Sequence, residues 1–202
     1  MILGSLAVLF EPFSTPSLKQ FLPSESEAMD NILKKLHAIV NVPHDGRRPL
    51  ELIHLSFRDF ILSRKRSSQL KFRVIEIDMH KEVFKRCIDI MTSMLRQDIC
   101  GLVWPGTIDS EIPPSSVESN IPPHLRYACR YWVDHLIKLD HEGQKNVGLL
   151  DNGAIHEFLQ KSLLFWLEAM GLIKETAAAI LVIKKLELLV KNTGYCRPLS
   201  TI

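Results

Sequence analysis

The sequence predicts a mainly α-helical fold in two domains, residues 1–75 and residues 76–202. Apolar side chains recur every three or four positions along most of the chain, which is the spacing of one face of an α-helix. Between residues 38 and 55 this spacing gives way to two short apolar runs around a turn, which indicates one β-hairpin. Five prolines then fall within residues 102–123, where we expect a loop.

Three helices are predicted before the hairpin. The first is the apolar segment that opens the chain, and because it has no N-cap residue we expect further sequence to precede it in a parent protein. The second, "STPSLKQFL", has Ser14 or Thr15 as its N-cap and Pro16 at an early helical position, where a missing N–H costs nothing. The third, "PSESEAMDNILKKLHAIV", has Ser24 as its N-cap and Glu27 three residues later, which together form a capping box.

The hairpin and a fourth helix complete the first domain. We predict strands in "AIVNV" and "PLELIHL", joined by a turn at Asp45–Gly46, and a helix that starts at Ser56. Three to four helices with one hairpin in about 65 residues have the outline of a winged-helix domain, in which the hairpin is the wing.

Four long amphipathic helices are predicted for the second domain, after a basic connector at residues 64–75. They run from near Asp78 to the sequence "QDICG", from Pro123 to about Leu139, from about Asn152 to Met170, and from about Lys174 to Lys191. Long helices joined by shorter connectors predict an antiparallel helical domain. Cys87 and Cys129 fall on apolar helix faces, where we expect them to act as small core residues.

Composition and motifs favour a non-catalytic protein. The chain is 46% hydrophobic and 24% charged, as in ordinary globular proteins, and it has no P-loop, nucleophile elbow, zinc-protease or paired-carboxylate signature. We therefore expect no enzyme activity. The histidines and the four cysteines do not cluster at metal-ligand spacing, so we expect no metal and a reducing, cytoplasmic compartment. The apolar opening segment is too short to cross a bilayer, and no membrane partner is expected.

The strongest functional signal is a set of short motifs in a fixed order. They are "H-x-S-F-R-D-F" from His54, "D-I-C-G-L" from Asp98, "Y-A-C-x-Y-W" from Tyr127 and "F-L-x-x-x-L-L-x-W-L-E" from Phe158. Together they resemble the segment that follows the nucleotide-binding domain in fungal NACHT-type STAND proteins. These proteins are fungal relatives of NOD-like receptors and include vegetative-incompatibility proteins. The resemblance covers about residues 3–190.

The resemblance implies a regulatory module of a signalling protein, either as a fragment or as a stand-alone form. In such proteins a NACHT domain holds ATP or ADP, and a winged-helix and a helical domain close over it. The chain itself would then hold no cofactor, and its partner would be a NACHT domain in cis or in trans. Plant relatives offer a Met-His-Asp histidine to the ADP phosphates. "IHL" looks like its counterpart, with Ile53 for Met, His54 for His and Leu55 where Asp would stand.

Two other interpretations of His54 remain open from the sequence. His54 is also placed to cap the following helix or to bond a carbonyl of the wing. We expect Arg58 and Asp59 to pair with neighbours on the surface of the fourth helix, and the tryptophans to be core anchors whose N–H groups are satisfied locally.

The alternative function is nucleic-acid binding by the winged helix. The third helix would read the groove, but Glu25, Glu27 and Asp30 stand at its start, where they would repel phosphate. A basic patch is available from Lys34, Lys35, Arg47, Arg48, Arg64, Lys65 and Arg66. Because a run of charge is usually a solvated face, we expect no nucleic-acid partner.

Overall fold

A computed structural model describes residues 2–63, 74–102, 107, 111–149 and 153–192. Within these ranges the chain forms ten α-helices, one short 3-10 turn and a single two-stranded sheet. The prediction of a mainly α-helical fold is confirmed. The chain divides into two compact units, Met1–Val83 and Phe84–Ile202. The predicted domain boundary between residues 75 and 76 stays a prediction.

The first unit contains the predicted order of helices and hairpin. Its elements are α1 (Ile2–Val8), α2 (Thr15–Phe21), a 3-10 turn (Pro23–Glu25), α3 (Ser26–Lys35), β1 (Val40–Asn41), β2 (Glu51–Leu52) and α4 (Leu55–Leu62). Side chains from these elements and their links form its core, among them Ile2, Phe13, Leu18, Phe21, Met29, Val40, Leu50 and Ile61, each 4% exposed or less. Burial of this apolar surface is what holds such short helices in place, because helices of seven to ten residues are marginal alone.

The two predicted helix caps in this unit have different outcomes. Ser14, one of the two predicted candidates, is the N-cap of α2, and its hydroxyl oxygen accepts a hydrogen bond from the Ser17 amide at 3.4 Å. The predicted capping box of Ser24 and Glu27 is wrong. Pro23 begins a 3-10 turn that contains Ser24, so α3 starts only at Ser26 and has no side-chain cap.

The hairpin forms at the predicted place, with shorter strands than predicted. Val40 pairs with Leu52 and Asn41 with Glu51 in antiparallel register. The Asp45–Gly46 turn is present, and the Asp45 carboxylate accepts the Arg47 amide at 3.0 Å. The chain before β2 pairs instead with the link into α2, since the Leu50 amide donates to the Phe13 carbonyl at 2.7 Å. This second partner ends the regular ladder early.

The regular elements in the described part of the second unit are helices. Its helices are the C-terminal part of α5 (Glu76–Met94, which runs across the division), α6 (Pro114–Asn120), α7 (Pro123–Ile137), α8 (His141–Asn146), α9 (Ala154–Leu172) and α10 (Thr176–Asn192). The four long helices are those that the sequence predicts. Helices α9 and α10 contact each other across a three-residue link, which is the geometry of antiparallel neighbours.

Two short helices of this unit were not predicted. Helix α6 lies in the predicted proline-rich loop at residues 102–123, with Pro114 in its first turn. Helix α8 lies in the predicted connector before α9, where the Asp140 carboxylate caps it by accepting the Gly143 amide at 2.8 Å. Residues 103–106 and 108–110 of the predicted loop lie outside the described residues.

Cys87 and Cys129 are fully buried in the second unit, as predicted. Burial raises the pKa of the Cys87 thiol and raises the pKa of the Cys129 thiol to about 12. Both thiols are therefore protonated and unreactive at neutral pH. No described helix is both long and apolar enough to cross a membrane.

Candidate functional site

His54 lies where the hairpin ends and α4 begins. It is the N-cap residue of α4, with an extended backbone (φ −131°, ψ 125°), and its carbonyl accepts the Phe57 amide at 3.0 Å. The first amides of any α-helix have no partner within the helix and carry a partial positive charge. The structure thus places an imidazole beside donors that favour anions.

The His54 side chain is exposed and does not cap the helix through a hydrogen bond. His54 therefore occupies the capping position that this alternative expected, but its imidazole makes no capping bond. The helix starts one residue earlier than the predicted Ser56, so that Leu55 is its first residue. On one side of His54 the Ile53 amide donates to the Ile39 carbonyl at 2.9 Å, and on the other side α4 begins. The backbone that carries the imidazole is therefore fixed on both sides.

Hydrogen bonds within the second unit join the three motifs that begin at Asp98, Tyr127 and Phe158. The Glu168 carboxylate, at the end of the last motif, accepts the backbone amides of Asp98 and Ile99 at 3.3 and 3.2 Å. Asp98 has a positive φ of 50°, and its own carboxylate accepts the Leu102 amide at 2.6 Å. The "D-I-C-G-L" turn is therefore held by two carboxylates, with Gly101 at φ 64° where a side chain would be strained.

The tryptophan of the last motif bonds to the third motif. The Trp166 indole N–H donates to the Cys129 carbonyl at 3.0 Å, and Trp166 is only 1% exposed. Trp132 is equally buried, but its N–H has no partner among the described residues, so the expectation of local partners for every tryptophan is wrong there. These bonds give the motifs a structural role, since they fix helices and turns that are far apart in sequence.

Buried histidines of the second unit do not form a metal site. The Tyr127 hydroxyl and His135 Nε2 lie 2.7 Å apart in the interior. His124 Nδ1 is buried without a partner, and burial and the nearby Arg86 charge lower the pKa of His124. No group of three or more potential ligands in the described part of the chain could hold a metal ion.

Helix α3 presents acidic rather than basic groups at its start. Glu27 and Asp30 are exposed, and Asp30 pairs with Lys19 at 2.7 Å. Lys34 and Lys35 follow only in its last turn. An exposed carboxylate in the first turn of a reading helix would repel phosphate. Arg64, Lys65 and Arg66 of the predicted basic patch lie outside the described residues.

The chain is related to the fungal vegetative incompatibility proteins of the NACHT type. The relative that carries this finding is the vegetative incompatibility protein HET-E-1 of Podospora anserina, which is 30% identical over 95% of this chain. The chain spans 15% of the length of that relative. No family profile matches the chain, and no solved structure matches it. The predicted relation to fungal NACHT-type STAND proteins is confirmed.

Proposed function

We propose that this chain is a non-catalytic regulatory module that closes over a NACHT nucleotide-binding domain in a fungal signalling protein. The observation that carries the proposal is the similarity to a vegetative incompatibility protein over nearly the whole chain. The module holds no nucleotide by itself. It acts on ATP or ADP held by a NACHT domain, in cis within a longer parent or in trans as a separate chain, in the cytoplasm.

The first unit acts in this proposal as a winged-helix domain. Three helices, a hairpin and a fourth helix follow one another in the order of that fold. An antiparallel bridge between Ser14 and Pro49 supports the assignment, because it ties the hairpin to the link that precedes α2. The hairpin is then a wing attached to the helices.

His54 is the residue that contacts the bound nucleotide in this proposal. Its exposed imidazole donates a hydrogen bond to an ADP phosphate oxygen, and the bond is charge-assisted because phosphate is anionic. The first amides of α4 add a favourable field for the same phosphate. Leu55 stands where the plant motif has an aspartate, so the proposal gives no role to an acid at that position.

The module is tested by its association with a NACHT domain. Purified chain is mixed with the NACHT domain of a fungal vegetative incompatibility protein, without nucleotide, with ADP and with ATP, and the complexes are separated by size. We expect a complex that forms most readily with ADP, because His54 contacts the ADP phosphates in this proposal. No association under any of the three conditions would contradict action in trans.

A further inference from the structure

A cavity of about 310 Å³ opens on the first unit between α1, the hairpin and α4. Its volume lies at the lower end of the range of about 300–1,000 Å³ that holds small-molecule ligands. Most of its wall is apolar. The side chains that line it include Leu6, Leu9, Pro12, Leu52, Glu51 and Arg58. The cavity therefore combines an apolar interior with two groups of opposite charge.

Arg58 contributes the positive charge. It lies on α4, is half-buried, and has no ion pair within 4.0 Å among the described residues, contrary to the surface pairing expected from the sequence. A guanidinium presents its donors in a fixed fork that matches a carboxylate. A half-buried arginine without a partner beside apolar walls is therefore a ready site for an anionic group.

Glu51 contributes the negative charge from β2. It lines the same cavity, is exposed, and forms no ion pair with Arg58 or with any other described residue. Two opposite charges that share one cavity without pairing leave room for a molecule that carries both charges. An ammonium group would face Glu51 while a carboxylate faced Arg58.

We propose that this cavity binds a free α-amino acid with an apolar side chain. The α-carboxylate bonds to Arg58, the α-ammonium group to Glu51, and the side chain fills the space against Leu6, Leu9 and Pro12. A monocarboxylate would leave Glu51 unpaired beside its apolar body, and a polar amino acid would lose the apolar contacts. This proposal goes beyond the regulatory function and does not depend on a NACHT domain.

The first arm of the test varies the ligand against the unmodified chain. Calorimetric titration with L-leucine, L-phenylalanine and L-tryptophan should give saturable binding with a Kd below about 1 mM for at least one of them. N-acetyl-leucine and leucine amide each lack one charge and should bind about ten-fold or more weakly. No saturation by any of the three amino acids up to about 10 mM would overturn the proposal. Equal binding of isocaproate, which has no amine, would overturn the assignment of a zwitterion, and tighter binding of a leucine-containing peptide would overturn the assignment of a free amino acid.

The second arm varies the protein. Arg58→Gln and Glu51→Gln should each weaken binding of the best amino acid about 10- to 100-fold, the loss expected for one charge-assisted contact. Arg48→Gln is the matched control, because Arg48 is exposed on the same hairpin and does not line the cavity. It should leave the Kd unchanged. An equal loss of affinity in Arg48→Gln and Arg58→Gln would overturn the site. If a variant fails to fold, the ligand series on the unmodified chain tests the proposal instead.

Discussion

Glu168→Ala should destabilise the second unit by about 2 kcal/mol. The substitution removes both bonds from the carboxylate to the amides of Asp98 and Ile99. A hydrogen bond to a charged group contributes about 1.5–3 kcal/mol when buried, and we expect about 1 kcal/mol for each bond here because Glu168 is half-exposed. Ile99 is only 1% exposed, so its amide is poorly placed to find water instead.

Urea unfolding followed by tryptophan fluorescence measures this effect in the right part of the molecule. All three tryptophans lie within Phe84–Ile202, so their emission reports on the second unit. Glu157→Ala is the matched control, because it is the same substitution on the same helix at an exposed site in the first turn, where Glu157 pairs with Lys161 at 3.4 Å. That control should cost about 0.5 kcal/mol. Equal losses in the two variants would show that the Glu168 bonds do not hold the turn.

Three further predictions concern the same unit. Burial is the larger cause that raises the pKa of the Cys100 thiol, and the negative charge of Glu168 is the next. Glu168→Gln should therefore lower that pKa and speed alkylation of Cys100 at pH 8, measured in a Cys196→Ser background. An unchanged alkylation rate would contradict the charge effect. Gly148→Ala should cost about 2–3 kcal/mol, because φ is +86° and the new Cβ would lie 2.5 Å from a backbone nitrogen at the start of α9. Gly171→Ala, in the helix and with open space around it, should instead stabilise by about 0.5 kcal/mol in the same urea assay.

The long helices were predictable because each carries its own signal. Helices α5, α7, α9 and α10 have 15 to 19 residues, enough for an apolar stripe to repeat several times. Their predicted ends are within about two residues of the observed ends for most of them, which is the usual uncertainty of helix boundaries. The hairpin was predictable for a similar reason, since Asp45–Gly46 is a local turn signal.

The short elements escaped prediction because they are too short for an apolar pattern to repeat, and bonds at single residues define them. Helix α8 has six residues and is fixed by the Asp140 cap and by Gln144, whose amide donates to the Leu139 carbonyl at 3.0 Å. The strands are shorter than predicted because the Phe13 carbonyl takes the Leu50 amide. Neither contact leaves a periodic pattern in the sequence.

The candidate site was predictable only in part. The change from strand to helix placed His54 at a junction, and the structure confirms that position as the N-cap of α4. The cavity of the first unit depends on Leu6 and Arg58, which are 52 positions apart in the chain, and no local spacing predicts that they line the same space. Glu168 stands 70 positions from Asp98, so its role as an acceptor was equally hidden.

The most direct test of the proposed function is the rate at which ADP leaves the NACHT domain. Fluorescent ADP is loaded on the domain, chased with unlabelled ADP, and followed with and without this chain. We predict that the chain slows release and that His54→Ala speeds it about 10-fold or more relative to the unmodified chain, the effect of losing one charge-assisted bond. His44→Ala, an exposed histidine of the same hairpin, should behave like the unmodified chain. If the NACHT domain released ADP at the same rate with His54→Ala as with His44→Ala, His54 would not contact the nucleotide. The account of this module as a lid over bound ADP would then be contradicted.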